Sequence, residues 1–312
     1  MRGGWNTALD AQNDLRHSLQ TGEGQRYLWN FAESLRKTPL YDARGDIIVG
    51  AGNAAEYIIK MAIDTVETGD PLYVSEEVVD LVEYAAASLE PERLMPEDIL
   101  IANGFAYFER ALYLHDRHGR VLSYRAMSWA QTKRDNNPDE RGVAISLWAD
   151  ARDEGDYSSE LRSRVGMIGG SRLILQHVTN IPYGNVAVLE REGNHEFVRQ
   201  LQAFWKLMKQ EIVLPSQQQV DRPTWRSKNN WRQIKHVTVL TLRRARYQRP
   251  DGQPSKIEWS HRWPVHGHWR NQPYKDKKTG NRFYSQIWIN PYIKGPDDKP
   301  FVAKQRAFEF TR

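Results

Sequence analysis

Residues 96–150, PEDILIANGFAYFERALYLHDRHGRVLSYRAMSWAQTKRDNNPDERGVAISLWAD, decide the fold. "GFAYFE" at 104–109 and "LYLHD" at 112–116 alternate apolar and polar residues with the period of a strand. "RHGR" at 117–120 is a turn, and "VLSYRAMSWAQ" at 121–131 resumes the alternation. "RGVAISLWAD" at 141–150 gives a further strand. The spacing predicts a β-meander over 97–150.

Outward from the meander, the texture becomes helical on both sides. "GNHEFVRQLQAFWKLMKQEIV" at 193–213 carries Phe197, Leu201, Phe204, Leu207 and Met208 as one helix stripe, which closes the meander. "SRLILQHVTN" at 171–180 fits either a helix or a strand. On the N-terminal side, Leu9, Leu15, Leu19, Leu28, Phe31 and Leu35 recur at helical spacing, with a break at "TGEG" (21–24). Residues 53–70 and 75–90 read as two more helices. In the second, Ser75 precedes Glu76 and Glu77, which suit the positive end of a helix. Residues 51–100 contain 12 Asp/Glu and two basic residues, Lys60 and Arg93, so residues 1–95 read as an acidic helical module. The acidic helices at 53–90 offer a surface for a protein partner.

"LPSQQQVDRPTWRSKNN" at 214–230 has two prolines and three consecutive glutamines and reads as a linker. The charge balance flips there. Residues 1–200 carry 21 Lys/Arg against 31 Asp/Glu, while residues 201–312 carry 23 against 8. Seven of the 11 tryptophans also fall in residues 201–312, so a separate basic, Trp-rich β unit follows the linker. The expected class is α+β: an acidic helical module (1–95), a middle region (96–213), the linker (214–230) and a basic β-rich domain (231–312).

Several function classes are excluded. With no cysteine, the chain has no disulfide scaffold, thiolate zinc site, iron–sulfur cluster or cysteine nucleophile. No apolar run approaches the ~20 residues that span a bilayer, and "MRGGWNTALDAQND" lacks the apolar segment of a secretory leader. The expectation is a cytoplasmic protein without a membrane partner. Neither "GNAAEY" nor "GMIGGS" has the Lys-Ser/Thr of a phosphate loop, and no cofactor is indicated.

The chemistry-bearing segment is "EWSHRWPVHGHWRNQPY" at 258–274. In a strand, alternate residues share a face. Trp259, His261, Trp263, Val265 and Trp269 would form an aromatic face. Glu258, Arg262, His266, His268, Arg270, Gln272 and Tyr274 would form a cationic, hydrogen-bonding one, extended by Arg282, Gln286 and Lys294. Arginine grips phosphate and stabilises developing charge, while histidine moves protons near neutral pH. His266, His268 and Arg270 are therefore candidate catalytic residues for a metal-independent phosphodiesterase or ribonuclease, or a toxin-type enzyme. Arg243, Arg244, Arg262, Trp269, Arg270, Gln272, Arg282 and Lys294 are candidate contacts to RNA or single strands, where aromatic rings stack on bases. His266-Gly-His268 lacks the following carboxylate of a two-histidine metal site, so no metal is assigned. His177-Val-Thr179 and His236-Val-Thr238 repeat the His-x-Thr pattern of two-histidine phosphoesterases, which requires both to lie on paired central strands.

The segments W-S-H-R-x-x-V-x-G-H-W-R-x-Q (Trp259–Gln272) and W-I-x-P-Y-x-K-G-P (Trp288–Pro296) resemble the C-terminal region of uncharacterised proteins of actinobacteria and their phages and mobile elements. With the middle region, the resemblance covers about half the chain. It implies a phage or mobile-element setting and assigns no reaction. A non-catalytic interaction protein of that setting is the third reading, beside nucleic-acid binding and phosphodiester cleavage.

Overall fold

The meander forms as its alternation predicts. β4 (Asn103–His115), β5 (Val121–Arg134) and β6 (Asn137–Asp150) pair antiparallel in succession. The computed structural model describes residues 5–35, 40–41, 47–49, 54–90, 92–115, 121–134, 137–150, 152–153, 171–184, 195–210, 213–219, 236–242, 262–265, 267–275, 280–296 and 299–300. They give an α+β fold in two compact units, Met1–Arg243 and Arg244–Arg312.

In the first unit the meander is the centre of a seven-stranded mixed sheet. It also contains β3 (Asp70–Val74), β7 (Leu173–Pro182), β8 (Val213–Gln219) and β9 (His236–Leu242), in the order β7-β6-β5-β4-β3-β9-β8. β3 runs parallel to both neighbours, and the other pairs are antiparallel. β1 (Leu40–Tyr41) and β2 (Ile47–Val49) make a separate short ribbon.

Helices cover both faces of the sheet because alternate strand residues are apolar on both. On one side, α1 (Trp5–Gln20), α2 (Gly22–Leu35) and α3 (Ala54–Thr68) pack Leu9, Leu15, Leu28 and Val66 against Tyr73, Phe105, Tyr107 and Trp148. On the other, α4 (Glu76–Ala87) and α5 (His195–Met208) meet the intervening residues. Phe204 lies edge-on to Phe108 and Trp129, and Trp205 edge-on to Trp129, with centroids 5.9–6.1 Å apart. The stripe expected on the 193–213 helix is buried in full.

Several buried polar groups in this unit have specific partners. Thr65 on α3 bonds the hydroxyls of Ser128 and Ser146 at 2.8 and 3.2 Å, and the Trp148 indole donates to Ser128 at 2.8 Å. The C-terminal carbonyls of α3 are capped by α1. Gln12 Nε2 donates to Val66 and Gly69, and Arg16 donates to Val66 and Glu67, all within 3.1 Å. Ser75 occupies the N-cap of α4 without a side-chain cap bond. The Glu109 carboxylate accepts the Glu76 N–H instead, at 2.9 Å.

The division of the chain differs from the sequence expectation. The 1–95 helices are no separate module, since their apolar stripes are buried on the sheet of the 96–213 region. Residues 214–219 of the expected linker lie in β8, which pairs with β9 from Val213↔Leu242 to Gln219↔His236. β8 is an edge strand, where Pro215 removes no bond toward the interior and Ser216 and Gln217 are exposed, so its composition mimics a linker. Residues 220–230 lie outside the described residues. Among those described, no helix is long and apolar enough to cross a membrane.

Candidate nucleic-acid interface

The described part of the second unit is two antiparallel ribbons. β10 (Trp263–Val265) pairs with β13 (Tyr292–Lys294), and β11 (His268–Lys275) pairs with β12 (Arg282–Ile289). In the β11–β12 hairpin, Gly280 adopts φ +73, the left-handed conformation that suits a glycine before a returning strand. The base is anchored by tryptophan. Trp288 is 4% exposed and meets Trp269 edge-on at 5.4 Å, and its indole N–H donates to Asn290 at 3.0 Å. A Cβ on Gly267 would stand 2.4 Å from the Trp288 ring, so only glycine lets the chain pass there.

Exposure rises toward the tip. Tyr274 is 42% exposed, Phe283 51% and Tyr284 69%. The register runs His268↔Ile289, Trp269↔Trp288, Arg270↔Ile287, Asn271↔Gln286, Gln272↔Ser285, Pro273↔Tyr284, Tyr274↔Phe283 and Lys275↔Arg282. Directly paired residues share a face. One face therefore holds His268, Arg270, Gln272, Tyr274 and Phe283, and the other Trp269, Asn271, Lys275, Arg282 and Tyr284. On the first face, Arg270 Nη2 donates to Gln272 Oε1 at 2.6 Å, and the rings of Tyr274 and Phe283 stack at 5.6 Å and 22°.

The alternation expected for His268, Arg270, Gln272 and Tyr274 matches this arrangement, but its extension does not. Arg282 and Gln286 stand opposite Lys275 and Asn271, on the Trp269 face, because the hairpin register gives them that parity. Lys294 lies on the other ribbon, opposite Trp263. Arg262 is half-buried; its backbone N–H donates to Pro300 at 2.8 Å and its Nε to Lys299 at 2.9 Å, so it holds the 299–300 segment. His266, Arg243 and Arg244 lie outside the described residues, as do Trp259 and His261.

The paired His-x-Thr reading fails on topology. His177 is on β7 and His236 on β9, with β6, β5, β4 and β3 between them. His177 instead packs edge-on to Phe197 at 5.6 Å, and burial pushes its imidazole down to about 4. Among the described residues, no group of three or more His, Asp or Glu is placed to hold a metal ion. The acidic surface expected on residues 53–90 is partly engaged: Arg110 bridges Asp80 and Glu83 of α4.

No family model matches the chain, and no curated protein matches it. Among solved structures it is similar to a chain described as "Crystal structure of AcrVA2", at 9% identity and a TM-score of 0.33, over 93% of this chain and 96% of that one. A similarity that low transfers neither fold nor function.

The hairpin face has the parts of a stacking platform: two accessible rings in register, and a guanidinium oriented by a neighbouring amide. Residues 244–312 carry 15 Lys/Arg against 6 Asp/Glu, so this part of the chain is net positive. The sequence reading placed the aromatic function on tryptophan and missed Phe283 and Tyr284. The signal was "RFYSQIW", whose two consecutive aromatics must point to opposite faces of a strand.

Proposed function

We propose that the C-terminal unit binds single-stranded nucleic acid, RNA foremost, on the hairpin face of Arg270, Gln272, Tyr274 and Phe283. The observation that carries this reading is the exposed Tyr274–Phe283 stack beside the Arg270–Gln272 pair. A base laid on an accessible ring gains roughly 1–3 kcal/mol, independent of its identity. A guanidinium two residues along the strand reaches the adjoining phosphate. Duplex presents its bases edge-on and cannot stack on such a platform without unpairing. The setting we attach is a phage or mobile element, supported by the motif resemblance over Trp259–Gln272 and Trp288–Pro296.

Fluorescence anisotropy of labelled single-stranded RNA with the full chain tests this reading. Binding that is lost in a Tyr274→Ala/Phe283→Ala double variant supports it. Equal affinity in the double variant, or no binding at about 50 mM salt, rejects it. Appearance of cleaved RNA that depends on His268 would replace binding with phosphodiester cleavage as the function.

A further inference from the structure

We infer that the β11–β12 hairpin is two-sided and that its ligand is a nucleic-acid fork, with one parted strand on each face. This inference rests on the binding function proposed above and identifies its substrate class. The two faces carry matching chemistry. On one are Arg270, Gln272 and the Tyr274–Phe283 stack. On the other are Asn271, Tyr284, Lys275 and Arg282. Each face thus offers an aromatic ring, an amide and at least one cation.

The exposure pattern separates this arrangement from a one-sided platform. A one-sided platform exposes one face and packs the other. At the hairpin tip both faces are open, with Tyr284 at 69% and Phe283 at 51%, although these are consecutive residues pointing opposite ways. At the base the Trp269–Trp288 contact closes the Tyr284 face, while His268 and Arg270 on the other face stay exposed. The hairpin is therefore anchored at one end and open on both sides at the other. Lys275 and Arg282 form its last rung, where backbone phosphates of two diverging strands come closest together. A single strand can occupy only one face, which leaves Tyr284 and the Lys275–Arg282 rung without a role. A blunt duplex offers no unpaired base to either. A fork supplies a stackable base to each face at once within one ligand.

The test compares three labelled RNAs of equal nucleotide count with the full chain: a fork with two unpaired arms, a single strand and a blunt duplex. The fork should bind roughly tenfold more tightly than the single strand, the gain of one further stacked base. Tyr284→Ala should remove that preference, bringing the fork down to the affinity of the single strand. The fluorescence of 2-aminopurine at the first unpaired position of each arm should change on binding, and Tyr284→Ala should abolish the change in one arm. Equal affinity for fork and single strand, or equal loss for both in Tyr284→Ala, overturns the two-sided inference while the single-strand reading survives. Tightest binding to the blunt duplex overturns both.

Discussion

The ring of Tyr274 lies on that of Phe283 across the β11–β12 ribbon, centroids 5.6 Å apart and planes 22° from parallel. The pair is one rung from the hairpin end and accessible to solvent. Removing either ring should weaken single-stranded RNA binding by roughly 5- to 100-fold. The double variant should lose less than the sum of the two in free energy, because the rings act as one platform. Stability should fall by about 1–2 kcal/mol, since each ring is about half-buried and the stack is lost. Anisotropy and urea denaturation on the same samples check both halves.

Phosphate contacts should set the salt dependence. Each phosphate neutralised contributes about 0.7 to the slope of log affinity against log salt for single strands. Arg270→Ala should reduce the slope by about that amount, and should also release Gln272 from its 2.6 Å bond. A salt series with wild type and variant measures it. An unchanged slope would remove Arg270 from the interface.

His177 should make the first unit acid-sensitive. Its ring is packed against Phe197, its Nε2 is sealed without a partner among the described residues, and burial lowers its pKa from 6.5 to about 4. The unfolded chain takes up this proton below pH 6.5 and the folded chain does not until about 4. Stability is therefore complete above 6.5 and falls as the pH drops through that window. Between pH 7 and 5 the wild type should lose about 1–2 kcal/mol more than His177→Leu. Parallel pH profiles of the two proteins by chemical denaturation give the difference, and identical slopes would refute it.

The α1–α3 cap should be a strong structural element. Arg16 is 3% exposed and donates to Val66 at 3.1 Å and Glu67 at 2.8 Å. Arg16→Leu should destabilise the chain by about 1–3 kcal/mol through the Glu67 carbonyl it leaves unmet, since Val66 keeps its bond from Gln12. Circular dichroism melts detect it, with RNA affinity per folded molecule unchanged.

Gly104 should tolerate no side chain. A Cβ there would stand 2.2 Å from the Trp129 ring, which its N–H ties to Ile101 at 2.7 Å and its edges to Phe204 and Trp205. Gly104→Ala should cost about 3 kcal/mol. A melting temperature equal to wild type would show that the ring can move.

The sequence carried the sheet's centre and its helices well, because 104–109, 121–131 and 193–208 each have a clean period. It misled where composition imitates another state. Pro215 and Gln217–Gln219 read as a linker, yet an edge strand admits the same residues. The acidity of residues 53–90 suggested an independent body, although α3 and α4 bury apolar stripes against the sheet and turn their acids outward. At the hairpin, parity placed His268, Arg270 and Gln272 on one face without error. It could not place Arg282 and Gln286, since cross-strand register depends on the turn between the strands and not on either strand alone. Tryptophan drew attention as the rare aromatic, but Trp288 is buried as the anchor while Tyr274, Phe283 and Tyr284 carry the exposed rings.

Photo-crosslinking with 4-thiouridine RNA, read by mass spectrometry of the full chain, tests the binding claim most directly. Crosslinked peptides should span His268–Lys275 and Arg282–Ile289, with Tyr274 and Phe283 as principal sites and loss of signal in the double variant. Crosslinks confined to Met1–Arg243, or retained in full without the two rings, would contradict it.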